Sequence, residues 1–240
     1  MTAQTADARR NAATGTGDRP LNWPDDPETV TAADIDFEAL AHVLANTCRR
    51  GGCCRQYHSV AAHAVIVSEE IEALDGLGDE DRRTLALHAL LAAAPSAWLR
   101  GRLPDSQRAA EPGSGSGPGR AGKLATGIEV AVREAAGLDA VLDEEHAELL
   151  RFVTRMAASA ERRDLLEPGS GGAGTGLRAG GPGSARIAFP PLKRRIRPIP
   201  PNKAAQAWLA RFRALAGPEE ARRQRMAAAA ASDGADVARG

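Results

Sequence analysis

Residues 34–68 read DIDFEALAHVLANTCRRGGCCRQYHSVAAHAVIVS, and the periodicity of this run decides the fold class. Asp36 stands just before Phe37, Leu40, Ala41 and Leu44, which recur at i, i+3, i+4 and i+7. That spacing predicts an amphipathic helix whose first free N–H groups are met by the Asp36 carboxylate. Gly51-Gly52 then breaks the chain, because two residues with so much backbone freedom do not continue a helix. Ser59 is placed to cap a second helix, with Val60, His63, Ala64, Val67 and Ile71 on one stripe. The same pattern extends outward. A third helix is expected over about residues 80–99, with Leu87, Leu90, Leu91, Ala94 and Trp98 inward and a kink at Pro95. A fourth covers about 123–136, closed by Gly137, and a fifth about 143–166, with Leu149, Leu150, Val153 and Met156 facing in. The run 190–201 holds five prolines and is expected to be extended, and a last helix follows over 203–216 with Ala204, Trp208, Leu209 and Phe212 inward. No segment alternates apolar and polar residues with a period of two, so the expectation is an all-α bundle of about six helices.

Composition limits how much of the chain can pack. Among 240 residues there are 25 Gly and 15 Pro but only 4 Phe, 3 Trp and 1 Tyr, a lean supply of large apolar side chains. One helical domain is therefore expected over 20–216, with disordered tails at 1–19 and 217–240. Two Gly/Ser/Pro stretches, 111–122 and 167–185, read as linkers inside it, since they carry too little apolar surface to offset the entropy of ordering. Thirty-one basic residues balance thirty-one acidic ones, which offers no field for nucleic acid or an anionic membrane. The cluster Lys193, Arg194, Arg195 and Arg197 reads as a solvated face, not a nucleic-acid contact. No apolar run is long enough for a membrane span, and the first twenty residues have no signal-peptide core, so a cytoplasmic location is expected. Nothing in the sequence sets an oligomeric state.

The residues with chemical potential concentrate where the first two helices meet. Cys48, Cys53, Cys54, His58 and His63 fall within 16 residues, and thiolates with imidazoles suit zinc. Their spacing is not the paired C-x2-C of structural zinc sites, and the bland reading is free cysteines in a loop. An odd number of cysteines, two of them adjacent, argues against a disulfide framework. His63 lies on an apolar stripe, where a lone histidine is more often a buried side chain with one hydrogen bond than a ligand. His88 reads the same way, whereas His42 and His146 sit among polar neighbours as surface or boundary residues. Neither a nucleophile motif nor a P-loop nor a dinucleotide fingerprint is present.

Residues 34–68 resemble the opening of a bacterial branch of the HD-domain phosphohydrolases, relatives of the 5′-deoxynucleotidases. In that branch an Asp-Ile-Asp-led helix, a Cys-Arg-aromatic-Gly-Gly loop and a Tyr-Ser-Val-Ala-x-His helix follow in this order. Residues 85–104, LALHALLAAAPSAWLRGRLP, have the frame of the family's Leu-Leu-His-Asp-Ala-Ser-Glu-Ala-Tyr-Leu-Gly-Asp helix. SAERRDLL at 159–166 is similar to its Ala-Thr-Glu-Arg-Arg-Asp-Leu-Leu element, and residues 195–215 to its closing Ile-Arg-Pro segment and helix. The resemblance covers about 150 residues in matching order.

Carried over position by position, the resemblance implies a lost metal centre. The family holds a divalent metal with one His, an adjacent His-Asp pair and a distant Asp. His63 matches the first of these, but Ala92-Ala93 stand at the pair and Thr154 at the distant Asp. Ser96 stands at the family's acid, Gly101 at a following Asp, and Cys53 where a loop His is usual. Arg49 matches the Arg that the family turns toward the substrate phosphate, although Arg50 replaces the aromatic after it. A single imidazole holds a divalent cation weakly, and without the metal no Lewis acid or low-pKa water reaches the phosphorus. The expectation is an HD-like protein that has lost metal-dependent phosphohydrolase activity and keeps no cofactor. It would bind a nucleotide or another phosphate-bearing small molecule at Arg49, or a protein partner. The alternative is an active phosphohydrolase with a non-standard divalent metal set drawn from Cys53, Cys54, His58 and His63.

Overall fold

The computed structural model of the chain describes residues 28–99, 120–138, 142–166 and 189–218. Within them the fold is all-α, as the periodicity predicts, and no residue lies in a strand. The helices are α1 (Phe37–Asn46), α2 (Val60–Glu72), α3 (Asp79–Leu91), α4 (Pro95–Leu99), α5 (Arg120–Ala135), α6 (Glu144–Leu165) and α7 (Pro201–Ala216). Both expected caps form: Asp36 accepts from Glu38 N and Ala39 N, and Ser59 Oγ accepts from Ala62 N. Asp143 does the same for α6, accepting from His146 N.

Three boundaries differ from the sequence reading. The helix expected over 80–99 is two helices, because Ala92–Ala94 form a turn and Pro95 opens α4 instead of kinking a continuous rod. A proline disfavours helical backbone at the residue before it and suits the first turn of a new helix. Residues 120–122, placed in the first linker by composition, are the start of α5. The last helix starts at Pro201 and not at 203, with a proline at its first position. Of the tails and linkers, only residues 120–122, 217 and 218 are described; the rest lie outside the described residues.

Helix α2 is the hub, packing on α1, α3, α6 and α7. Its Val60, Ala61, Ala64, Val67 and Ile71 join Leu40 and Leu44 of α1, Leu85, Leu90 and Leu91 of α3, and Trp208 and Phe212 of α7 in one core. Small alanines at 41, 45, 61 and 64 allow the close approach that a chain poor in aromatics needs. Three aromatics form one stack: Phe37 packs on Phe212 with ring centroids 4.0 Å apart, and Trp208 lies 5.6 Å from Phe212, tying α1 to α7. At the end of α7, Gly217 adopts φ 74°, and Arg83 from α3 donates to the carbonyls of Leu215 and Ala214.

The segment 190–200 runs extended across the bundle, with Asp164 as its main anchor. Asp164 accepts from Ile196 N at 2.8 Å, from Arg195 at 2.8 Å and from Arg163 at 2.7 Å, while Leu192 and Ile196 are buried beneath. Arg163 also donates to the carbonyls of Leu192 and Arg194. Arg194 pairs with Glu69 and Glu70 of α2. Arg194 and Arg195 of the basic cluster are thus paired with carboxylates on other elements, although Arg195 stays exposed, as do Lys193 and Arg197. No helix among the described residues is long and apolar enough to cross a membrane.

Candidate functional site

The loop between α1 and α2 is shaped by local backbone chemistry. An isolated bridge between Cys48 and Ser59 pinches its base, with Arg49 N donating to His58 O at 2.8 Å and Val60 N to Thr47 O at 2.9 Å. Inside it, Arg49–Gly52 make a 3-10 turn in which Arg50, Gly51 and Gly52 all have positive φ, at 51°, 60° and 87°. Glycine adopts this region freely, but an arginine there carries strain. Tyr57 Oη donates to Ala45 O, and Arg55 N donates to Leu165 O, which pins the loop to the end of α6.

This folding brings Arg49, Arg50 and His58 against His63 of α2 and Glu161 of α6. Glu161 is fully buried and sits at the centre. Its Oε1 accepts from His63 Nδ1 at 2.6 Å and from His58 Nε2 at 3.2 Å. Arg49 reaches both carboxylate oxygens at 3.4 Å, and Arg50 Nε reaches Oε2 at 3.1 Å while its Nη2 donates to Ala158 O at 2.6 Å. An ionised carboxylate only accepts, so Nδ1 of His63 and Nε2 of His58 carry the hydrogens.

The protonation states follow from these contacts. Burial acts to raise the Glu161 pKa, but hydrogen bonds from His58 and His63 and the charge of Arg49 outweigh it and hold the carboxyl far below its usual range. For His63, burial leads and the Arg49 charge adds to it, depressing the imidazole pKa against the pull of Glu161. Arg49 Nη2 lies 3.2 Å from Nδ1 and 3.1 Å from Nε2 of that ring. Near-equal distances to both nitrogens place the guanidinium over the ring face, since an in-plane position would collide with the carbon between them. Two guanidiniums against one carboxylate leave one positive charge uncompensated, and the Arg49 and Arg50 side chains are 25% and 20% exposed, so that charge reaches solvent.

Of the other residues singled out from sequence, Cys54 lies near enough for its thiol to feel the charges of Glu161, Arg50 and Arg49, and the side chains of the rest make no hydrogen bond to those of the cluster among the described residues. Ala92 is exposed and Ala93 half-buried, both in the turn after α3. Thr154 Oγ1 donates to Leu150 O in its own helix, and Ser96 Oγ to Ala93 O. Cys53 is exposed; Cys54 is half-buried, and burial followed by the Glu161 charge pushes its thiol pKa up, which disfavours the thiolate a metal needs. Gly101 lies outside the described residues. His88 is buried as expected, with its pKa lowered to about 4 by burial and then by the charges of Arg133 and His146. Among the described residues, no group of three or more His, Cys, Asp and Glu is arranged to hold a metal ion. The donor set at His63 does not suit a divalent cation, because any such ion would meet two guanidiniums beside the carboxylate.

No protein-family model matches the chain, and no curated protein matches it either.

Sequence reasoning singled out three members of this cluster, Arg49, His58 and His63, and missed Arg50 as a participant and Glu161 altogether. One signal for Glu161 existed. The buried stripe of α6 runs through Leu150, Val153, Ala157, Ala160 and Leu165, and position 161 lies four residues from both Ala157 and Leu165. A charge on that stripe requires a buried partner.

Proposed function

We propose that this chain is a catalytically degenerate relative of the HD-domain phosphohydrolases, without metal-dependent hydrolysis and with a binding site for a phosphate-bearing small molecule at Arg49. The observation that supports it is the occupation of His63. The one side chain that matches a family metal ligand gives its Nδ1 hydrogen to Glu161 and lies beneath the Arg49 guanidinium. The cluster links the α1–α2 loop, α2 and α6 through one buried carboxylate, a cross-linking role that a bound cation fills elsewhere. Ala92, Ala93, Ser96 and Thr154 offer no free donor toward it. What remains is a positively charged, partly solvated pair of guanidiniums, whose chemistry is anion recognition and not bond cleavage.

A phosphatase screen of the purified full chain tests this. Nucleoside monophosphates and a generic aryl phosphate are incubated with manganese, cobalt, zinc or EDTA, and phosphate release is measured. The reading predicts release at the rate of the protein-free blank in every arm. Metal-dependent turnover that disappears in His63→Ala overturns it, and turnover that disappears on replacing Cys53 and Cys54 favours the alternative metal set.

A further inference from the structure

We infer that Arg50 is the second arm of an arginine clasp that takes a tetrahedral phosphate dianion without any metal, with Glu161 as the buried counter-ion that presets both guanidiniums. The inference rests on the reading of Arg49 as the phosphate contact and adds a residue, a charge class and metal independence to it.

Three observations carry it. First, the donors are divided between inside and outside. Arg49 uses Nε and Nη2 on Glu161 and the His63 ring, and Arg50 uses Nε on Glu161 and Nη2 on Ala158 O. Nη1 of each has no acceptor among the described residues, on side chains that are 25% and 20% exposed. Second, the charge is unbalanced: Glu161 is the carboxylate that both guanidiniums meet, so two positive charges face one negative charge at side chains that reach solvent. An arriving dianion finds preset donors and loses no side-chain freedom in ordering them. Third, Arg50 keeps a left-handed backbone, φ 51° and ψ 34°, in a turn where the next two positions are glycine. A non-glycine side chain held in such a conformation points to a task for that side chain. A guanidinium serves this task better than an ammonium, because its planar fork can hold Glu161 with one edge and a phosphate oxygen with another.

The test is calorimetric titration of the full chain with inorganic phosphate in EDTA, near pH 8 so that the dianion dominates, with chloride as the monoanion control at equal ionic strength. The parent should bind phosphate saturably, one per chain, and show no saturation with chloride. Arg50→Asn, whose side chain tolerates a left-handed backbone, should bind at least tenfold more weakly. Arg50→Lys keeps the charge but not the fork, and should fall between the two. Lys193→Gln, which removes an exposed cation elsewhere, should match the parent. If Arg50→Asn and Arg50→Lys both bind like the parent while Arg49→Gln does not, Arg50 is no arm of the site and the Arg49 reading stands. If the parent fails to bind phosphate, the Arg49 reading falls and the clasp with it.

Discussion

Replacing Glu161 by Ala should destabilise the fold by about 3 kcal/mol, and the figure can be built from its contacts. Breaking a buried ion pair by deleting one partner costs about 3–5 kcal/mol, because the remaining charge is stranded. Here the stranded charges are discounted, since Arg49 and Arg50 are 25% and 20% exposed and can turn toward water. The imidazoles cannot: His58 and His63 are 1% and 5% exposed, and each loses an acceptor. A hydrogen bond to a charged group contributes about 1.5–3 kcal/mol, so the lower end of the buried-pair range is the expected cost. Glu161→Gln should cost less, about 2 kcal/mol, since its carbonyl can still accept from His63 while its NH2 meets the Arg50 donor. For an ordered region of this size, about 3 kcal/mol lowers Tm by about 6–12 °C. Urea denaturation followed by circular dichroism near pH 7.5, with calorimetry for Tm, gives both numbers. A Glu161→Ala loss under about 0.5 kcal/mol, the range of an ordinary surface change, would refute the claim that this carboxylate cross-links the loop, α2 and α6.

Acid should weaken the fold in two stages. His63 and His88 have depressed folded pKa values, so their contribution is complete above the unfolded value near 6.5 and is lost as pH falls through the folded one, about 4 for His88. Glu161 and Asp164 follow below the ordinary carboxylate range. At about pH 5 the His88 share of the loss is about 2 kcal/mol by linkage, so His88→Leu should flatten the urea-midpoint profile between pH 7 and 5; an unchanged slope would remove His88 from the account. Asp164→Ala should release the strap, seen as faster hydrogen exchange of the Ile196 amide and a stability loss of about 2 kcal/mol, and protection equal to the parent would contradict it. Trp208→Ala should cost about 3–5 kcal/mol by opening a cavity between α1 and α7, read from the urea midpoint, and a loss under about 1 kcal/mol would show that the aromatic stack is not a principal support.

The helices were legible because their signals are local. Asp36 and Ser59 stand one residue before apolar stripes, and both cap as their position requires. Pro95 was legible as a disturbance but not as a helix start, since whether Ala92–Ala94 continue the helix depends on how α4 packs on α1 and α5. The site was half legible. His63 and His58 lie close together in sequence and invite attention, and Arg49 belongs to a recognisable loop. Glu161 lies about a hundred residues away at the head of the polar run ERRD, followed by an exposed Arg162 and by Arg163, which turns to the strap. Its burial comes from a tertiary contact with a loop whose left-handed turn at Arg50 has no local sequence cue, arginine being an unfavoured residue there. For the same reason nothing local marks Asp164 as the anchor of the strap, which it holds through Ile196 N and Arg195.

The most direct test of the central claim is elemental analysis of the purified full chain, paired with thermal unfolding in EDTA and in added manganese, zinc or cobalt. The account predicts far less than one equivalent of any of these metals and the same Tm in every condition, because the Glu161 carboxylate and the guanidiniums of Arg49 and Arg50 fill the place beside His63. One equivalent of tightly held metal, with a metal-dependent rise in Tm that is abolished in His63→Ala, would contradict it.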